Sequence, residues 1–310
     1  MELVDQDVPG PRRDYIGYGR DVPRVRWPDG ARVAVSFVLN YEEGSEVAMP
    51  AGDGRSEAAL GELAYQMAPE YRDLAIESVY EYGSRAGVWR LQRLFDEFRI
   101  PITFFAAAVA LERNPEAAAW LAEAGHEPCS HGWRWEEVWT LGRDQEKAHI
   151  EAAIRSIEAT CGVRPKGWYC RYGPSVHTRE LLVEEGGFVY DSDAYNDDLP
   201  YYVEVQGHRH LVVPYTFTYN DARFVAPQGY GSPGDFADTV KRGFDQLWEE
   251  GETHPRMMSI GLHPRLVGQA ARSAALREVI QHMGDKGQVW FARRLDIAEW
   301  WHKHHESFER

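Results

Sequence analysis

Residues 31–39 (ARVAVSFVL) are apolar and β-branched almost without a break, the pattern of a strand buried on both faces. Val88, Leu91, Leu94, Phe95 and Phe98 recur at spacings of three and four, which predicts a helix over 84–98 with Ser84 as its cap. The next strand falls at 101–108 and the next helix at 114–124, ended by Gly125; a third strand and its loop lie within 125–135. Ile150, Ile154 and Ile157 mark one face of a helix over 143–160. Further on, the pattern gives strands at 166–170, 188–190 and 257–262 and short β-like runs at 211–213, 217–219 and 289–291. Helices are predicted at 176–185, 234–249, 273–282 and 294–304. Residues 45–80 show little period and read as a long insertion.

Strand and helix alternate almost throughout, so the sheet should be parallel. Polar clusters follow the strands ending near 39, 129, 170, 190 and 262, and five such strand ends favour a barrel with one central pocket. The expectation is an α/β fold, a (β/α) barrel over 31–310 preceded by an N-terminal arm over 1–30. Tyr15, Ile16, Tyr18 and Trp27 sit among the Pro, Gly and Arg residues of that arm. Such an arm cannot bury itself, so it should lie across the domain or a neighbouring subunit; a homo-oligomer is expected, with a tetramer in mind.

The 310 residues carry 44% hydrophobic and 13% aromatic residues, enough for a full core. A net charge of −15 argues against nucleic acid or an anionic membrane as partner. No apolar run approaches the roughly twenty residues that span a bilayer, and residues 1–7 lack the basic and apolar parts of a secretory leader. Cys129, Cys161 and Cys170 are odd in number and show no metal-binding spacing, so a cytoplasmic location is expected.

The chemistry concentrates at strand ends. Glu42 and Glu43 follow the first strand; by strand geometry one faces the pocket and the other points away, and either can be a general base. Structural use of at least one of them is as plausible. Glu46 reads as part of a solvated acidic loop. His131 follows the third strand and is a candidate catalytic group, whereas His126, five residues earlier, reads as structural. His263 ends a late strand beside Pro264 and Arg265, a pairing that can supply a general acid and an anion contact. Asp191, Asp193, Asp197 and Asp198 lack the Gly and Glu of a calcium loop, and His302, His304 and His305 read as a solvated helix end.

Residues 88–132, with a leucine-rich helix, "TFF", "RNP" and "GHE…SHG", resemble the core of the polysaccharide deacetylase (NodB-homology) family. The strings "RDYIGYGR" (13–20), "SFVLNYEEGSE" (36–46), "CSHGWRW" (129–135), "EEGGFVYDSDAYNDDLPY" (184–201) and "SIGLHPRL" (259–266) are similar to its cofactor-independent allantoinase branch. The resemblance implies a distorted (β/α) barrel. The family's deacetylases use an Asp pair and a His-x-x-x-His pair, and one Asp with both His holds a divalent metal. Here the Asp pair corresponds to Glu42–Glu43 or, in another register, Asn40 and Glu42, and the second His is Trp135. An indole offers a metal no lone pair, so no catalytic metal and no other cofactor is expected. Residues 170–174 and Pro264 also depart from the branch's pattern.

The resemblance implies a hydrolase of a cyclic amide or ureide C–N bond, most readily hydantoin ring opening of the allantoinase type in purine catabolism. Glu42 or Glu43 would activate water, His131 would hold that carboxylate or the substrate, and His263 would protonate the leaving nitrogen. Arg171 or Arg265 would bind oxygens, with Asn40 nearby, and Trp135, Trp168 and Tyr169 would sandwich a flat ring. The alternatives are a metal-dependent deacetylase of an N-acetylated sugar or small amide, and an inactive binding module.

Overall fold

The structure is a computed structural model describing residues 8–62 and 67–309. The expected absence of a leader over 1–7, and residues 63–66 of the expected insertion, lie outside the described residues. Among the described residues one sheet holds β1 (Val33–Tyr41), β2 (Thr103–Ala106), β3 (Glu127–Ser130), β4 (Gly167–Trp168), β5 (Tyr190–Asp191), β6 (Tyr201–Val205), β7 (His208–Val212), β8 (Arg256–Leu262) and β9 (Val289–Phe291). Their order is β6-β7-β5-β4-β3-β2-β1-β8, and β9 runs beside the first half of β1. Every pairing is parallel except the β6–β7 hairpin. The gap between β7 and β8 is bridged by chain: Gly261 N–H donates to Tyr219 O at 2.9 Å and the Ser259 hydroxyl to Pro214 O at 3.3 Å. The result is the expected distorted barrel in a single domain. Among the described residues no helix is long and apolar enough to cross a membrane.

β1 is the central strand, and it is buried along all nine residues. Val33, Val35, Phe37, Leu39 and Tyr41 pack into the helix layer with Leu91, Leu94 and Phe95. Ala34 and Val38 face the barrel interior with Phe105, Cys129, Tyr190 and Tyr215. The period of two carries past the strand end, so Asn40 and Glu42 enter the interior while Glu43 turns to the helices.

Several boundaries differ from those the pattern predicts. Ser84 caps no helix. The helix begins at α1 (Leu74–Tyr82), where the Asp73 carboxylate accepts from the N–H groups of Ala75 and Ile76 at 3.0 and 3.1 Å. It continues through a π turn, Gly83–Gly87, into α2 (Val88–Phe98). Gly83 and Gly87 allow close approach here. A Cβ on Gly83 would sit 2.3 Å from Glu43 Oε1, and one on Gly87 2.0 Å from Pro264 O. Gly83→Ala should therefore overpack the layer behind β1 and cost about 1–3 kcal/mol, read as a lower thermal midpoint.

The sequence pattern also missed β6, which joins β7 through Gln206 and Gly207, both at positive φ (50° and 79°). That geometry suits a tight two-residue hairpin turn. Residues 217–219 form no strand; they lead into the Asn220–Gly261 bridge beside β8. In the N-terminal segment, Trp27 Nε1–H donates to Arg256 O at 2.9 Å and its ring lies 5.8 and 6.3 Å from those of Trp290 and Trp301. Tyr15 and Ile16 stay exposed.

Candidate active site

Three strand ends, those of β1, β3 and β8, bring Glu42, His131, His263 and Arg265 together in the barrel mouth. Glu42 is the hub. Its Oε2 accepts from Arg265 Nη2 at 2.7 Å, and its Oε1 lies 3.2 Å from His131 Nε2 and 3.6 Å from His263 Nε2. Burial opposes ionisation of Glu42. The charges of Arg265 and His263 and the hydrogen bond from His131 outweigh it and hold the carboxyl well below its ordinary value.

His131 Nδ1 lies 3.0 Å from Tyr169 O, and a carbonyl only accepts, so Nδ1 carries a proton. Its Nε2 is the nitrogen that faces Glu42 Oε1. His263 Nδ1 is 2.6 Å from Asp221 Oδ1. Asp221 Oδ2 accepts from the backbone N–H groups of His263 at 2.7 Å and Val267 at 3.0 Å. Burial disfavours the charged imidazole, but Asp221 and Glu42 prevail and raise His263 to about 9. At 3.6 Å from Glu42 its Nε2 proton is beyond hydrogen-bond reach and remains uncommitted.

Glu43 sits behind the strand. Its Oε1 accepts from Arg265 N–H at 3.2 Å and Nη1 at 3.4 Å, and its Oε2 from Glu42 N–H at 3.1 Å. Burial pushes it up to about 7, with Arg265 opposing and Glu42 adding to the rise. Of the two carboxylates left open by the sequence, Glu42 faces the barrel interior and Glu43 does not.

The other candidates divide. Asn40 Nδ2 donates to Tyr215 Oη at 2.9 Å and Leu262 O at 3.2 Å, closing the floor beneath Glu42. Arg171 is salt-bridged to Glu57 at 2.8 Å and Glu137 at 3.2 Å and lies 3.7 Å over the Trp135 ring. With Tyr172, Arg55, Glu57, Glu137 and Pro69 it lines a cavity of about 350 Å³ outside the cluster. Trp135 therefore has a guanidinium on its ring and does not stand free as one side of an aromatic sandwich. Trp168 is misplaced by the sequence reading: its side chain joins the helix layer, its Nε1–H donates to Cys170 Sγ at 3.1 Å, and Phe188 packs at its edge. Strand alternation sends position 168 outward and 169 inward. Tyr169 faces inward, but its ring stacks on Phe105 at 4.5 Å and His131 at 5.0 Å, so it backs the histidine.

Glu46 is also corrected: it is buried, and its Oε2 accepts from Gly44 N–H at 2.6 Å. His126 is structural, as expected. It lies between Phe104 and Trp120, and burial lowers it to about 4. Asp191 pairs with Arg179 and His210 in the layer outside the barrel. The residue missed altogether is Asp221. It follows the 217–219 run, which forms no strand, and its one local signal is the Asn220 cap of a single 3-10 turn.

The cluster is sealed: Glu42, His131, His263 and Arg265 are 1, 2, 3 and 0% exposed. The wall is the insertion, where Leu60 O accepts from Arg265 Nε at 3.3 Å and Ala59 O from the Tyr80 hydroxyl at 2.9 Å. A divalent ion does not fit this donor set. Among the described residues no group of three or more His, Cys, Asp or Glu converges on one point. His131 and Glu42 are two donors, one of them already bound to a guanidinium, where a closed site needs about four.

Comparison with known proteins agrees with the geometry. The family described as Polysaccharide deacetylase matches residues 71–190. A Schizosaccharomyces pombe protein that carries a polysaccharide deacetylase name is 36% identical over 94% of this chain and 98% of its own. A solved structure described as "probable Polysaccharide deacetylase from Pseudomonas aeruginosa PAO1" is 50% identical with a TM-score of 0.91, over 94% of this chain and 98% of that one. A second, described as "Puue Allantoinase", is 48% identical with a TM-score of 0.92, over 97% and 99%. The chain belongs to the polysaccharide deacetylase (NodB-homology) family, as a hydrolase of carbon–nitrogen bonds other than peptide bonds.

Proposed function

We propose that the chain opens a cyclic amide or ureide ring of the hydantoin type, an allantoinase-like hydrolysis within purine catabolism. The observation that carries this reading is the Glu42–His131–His263–Arg265 cluster, which holds fixed cations around one ionised carboxylate and lacks a metal's donor set. The 48% identity with the structure described as an allantoinase supports it.

In this reading Glu42, ionised at any working pH, takes a proton from water as the water oxygen bonds to the ring carbonyl carbon. His131 holds Glu42 in place. The His263 Nε2 proton goes to the ring nitrogen as the C–N bond breaks, and the product is an open-chain carboxylate. The fixed charges of Arg265 and His263 offset the oxyanion that forms between these steps. Asp221 keeps His263 charged and correctly turned. An oligomer in the cytoplasm fits the exposed Tyr15 and Ile16 and the three free cysteines.

Deacetylation is the second reading, favoured by the names of the Schizosaccharomyces pombe and Pseudomonas aeruginosa relatives. The deciding experiment incubates the protein with allantoin, related hydantoins and N-acetylated sugars, following carboxylate and acetate release. Ring opening is expected; acetate release without ring opening would overturn the proposal, and no turnover on any ring would favour a binding module.

A further inference from the structure

We infer that Arg265 is this chain's resident cation, standing where the family's metal-dependent members carry a divalent ion. The inference rests on reading Glu42 as the reactive carboxylate. Two contacts place the guanidinium. Its Nη2 donates to Glu42 Oε2 at 2.7 Å, and its Cζ lies 5.4 Å from the centroid of Trp135, the residue at the place of the missing histidine ligand. The cation thus lies between the one surviving carboxylate and the side chain that cannot ligate.

The surroundings are built for it. The guanidinium lies 4.4 Å over the Tyr80 ring and is fully buried. Nη1 and the backbone N–H reach Glu43, and Nε reaches Leu60 O. Three separate elements therefore hold one charge in position. A guanidinium stays charged at every working pH, so it holds Glu42 ionised without the ligand exchange or pH-dependent loading of a bound metal. Trp135 and Arg265 make one coordinated change: the indole removes a ligand, and the aromatic faces of Trp135 and Tyr80 accept an organic cation instead. Arg265 and a divalent ion exclude each other, because both would claim Glu42 and both are positive. Arg265 acts through Glu42, so it is a positioning residue.

The test titrates zinc chloride into chelator-dialysed wild type, Trp135→His and Trp135→His/Arg265→Met, reading bound zinc by elemental analysis and the thermal midpoint. Wild type and Trp135→His should hold no stoichiometric zinc and show no zinc-dependent rise in midpoint. The double variant should bind about one zinc per chain, with a midpoint that climbs as zinc is added. Stoichiometric zinc in dialysed wild type or in Trp135→His overturns the inference, and so does a folded double variant indifferent to zinc. Should that double variant not fold, Trp135→His/Arg265→Gln, which keeps a hydrogen-bonding group beside Glu42, carries the same test with the same outcomes.

A second readout separates positioning from mere support. Wild type and Arg265→Lys should show no acid limb of kcat/KM across the working pH range, whereas Arg265→Met should bring one into it, because Glu42 loses its nearest cation. Activity lost in Arg265→Met with no acid limb appearing overturns the role. The zinc results do not depend on turnover, so they stand apart from any failure to find a ring-opening substrate.

Discussion

Glu42→Gln should lower kcat/KM for ring hydrolysis by about 10²–10⁴-fold, the range expected when a general base is removed. The amide cannot take a proton from water, and it leaves the charges of Arg265 and His263 facing one another across a fully buried site. Removing one partner of a buried ion pair costs about 3–5 kcal/mol, so the thermal midpoint should fall as well. Glu43→Gln is the contrast. Glu43 is raised to about 7 and faces the helix layer, so its amide replaces a group that already holds a proton much of the time. Turnover in Glu43→Gln should stay within tenfold of wild type. Steady-state kinetics on both variants, with melting curves, distinguish the two carboxylates; equal losses would remove Glu42 from its role.

His263→Gln should cost a comparable 10²–10⁴-fold by removing the proton donor, and it should also change the pH response. His263 is raised from 6.5 to about 9 in the fold, first against burial and then by Asp221 and Glu42. A raised base stabilises the native state fully below its unfolded value, and that contribution is lost as pH climbs through the folded one. Wild type should therefore lose stability between about pH 6.5 and 9, on the order of 3 kcal/mol from this group. The Gln variant should melt with a flatter profile across the same window. In wild type the alkaline limb of kcat/KM should fall near pH 9, and Asp221→Asn should draw it downward. Melting curves and rate profiles over pH 6–10 check both statements; an alkaline limb unmoved in Asp221→Asn would detach Asp221 from His263.

Much of the fold was legible because β1 announces itself: all nine residues are buried, and Ser36 is the lone polar interruption before its C-terminal end. The same period of two said that Glu42 and Glu43 face opposite ways, but which of them enters the interior was fixed only by the folded strand end. Trp168 went wrong because β4 is two residues long, too short for its phase to show in sequence. Glu46 was misread because acidic loops are usually solvated, and only the folded insertion reveals that this one is covered. Asp221 was invisible for a different reason. Its function lies in a contact 42 residues away along the chain, and no local pattern encodes it. Arg265 was legible as an anion contact, but its work on two carboxylates depends on Glu42 and Glu43 diverging at the end of β1.

The π turn at Gly83–Gly87 has a bearing on how this chain can vary. A π turn spends one residue more than a regular helix would, and each residue of an α-helix advances the side chains by about 100°. The wide turn absorbs that extra residue, so deleting a single residue there would restore ordinary winding and leave the downstream faces where they are. Val88, Leu91, Leu94 and Phe95 would keep their places in the core. A deletion on either flank has no such slack and would swing that stripe round by the full step. The extra residue lets one helix lean its backbone on the carboxylate behind the site while keeping its later apolar stripe in register. Loss of one residue should be tolerated inside that turn long before it is tolerated elsewhere in this helix.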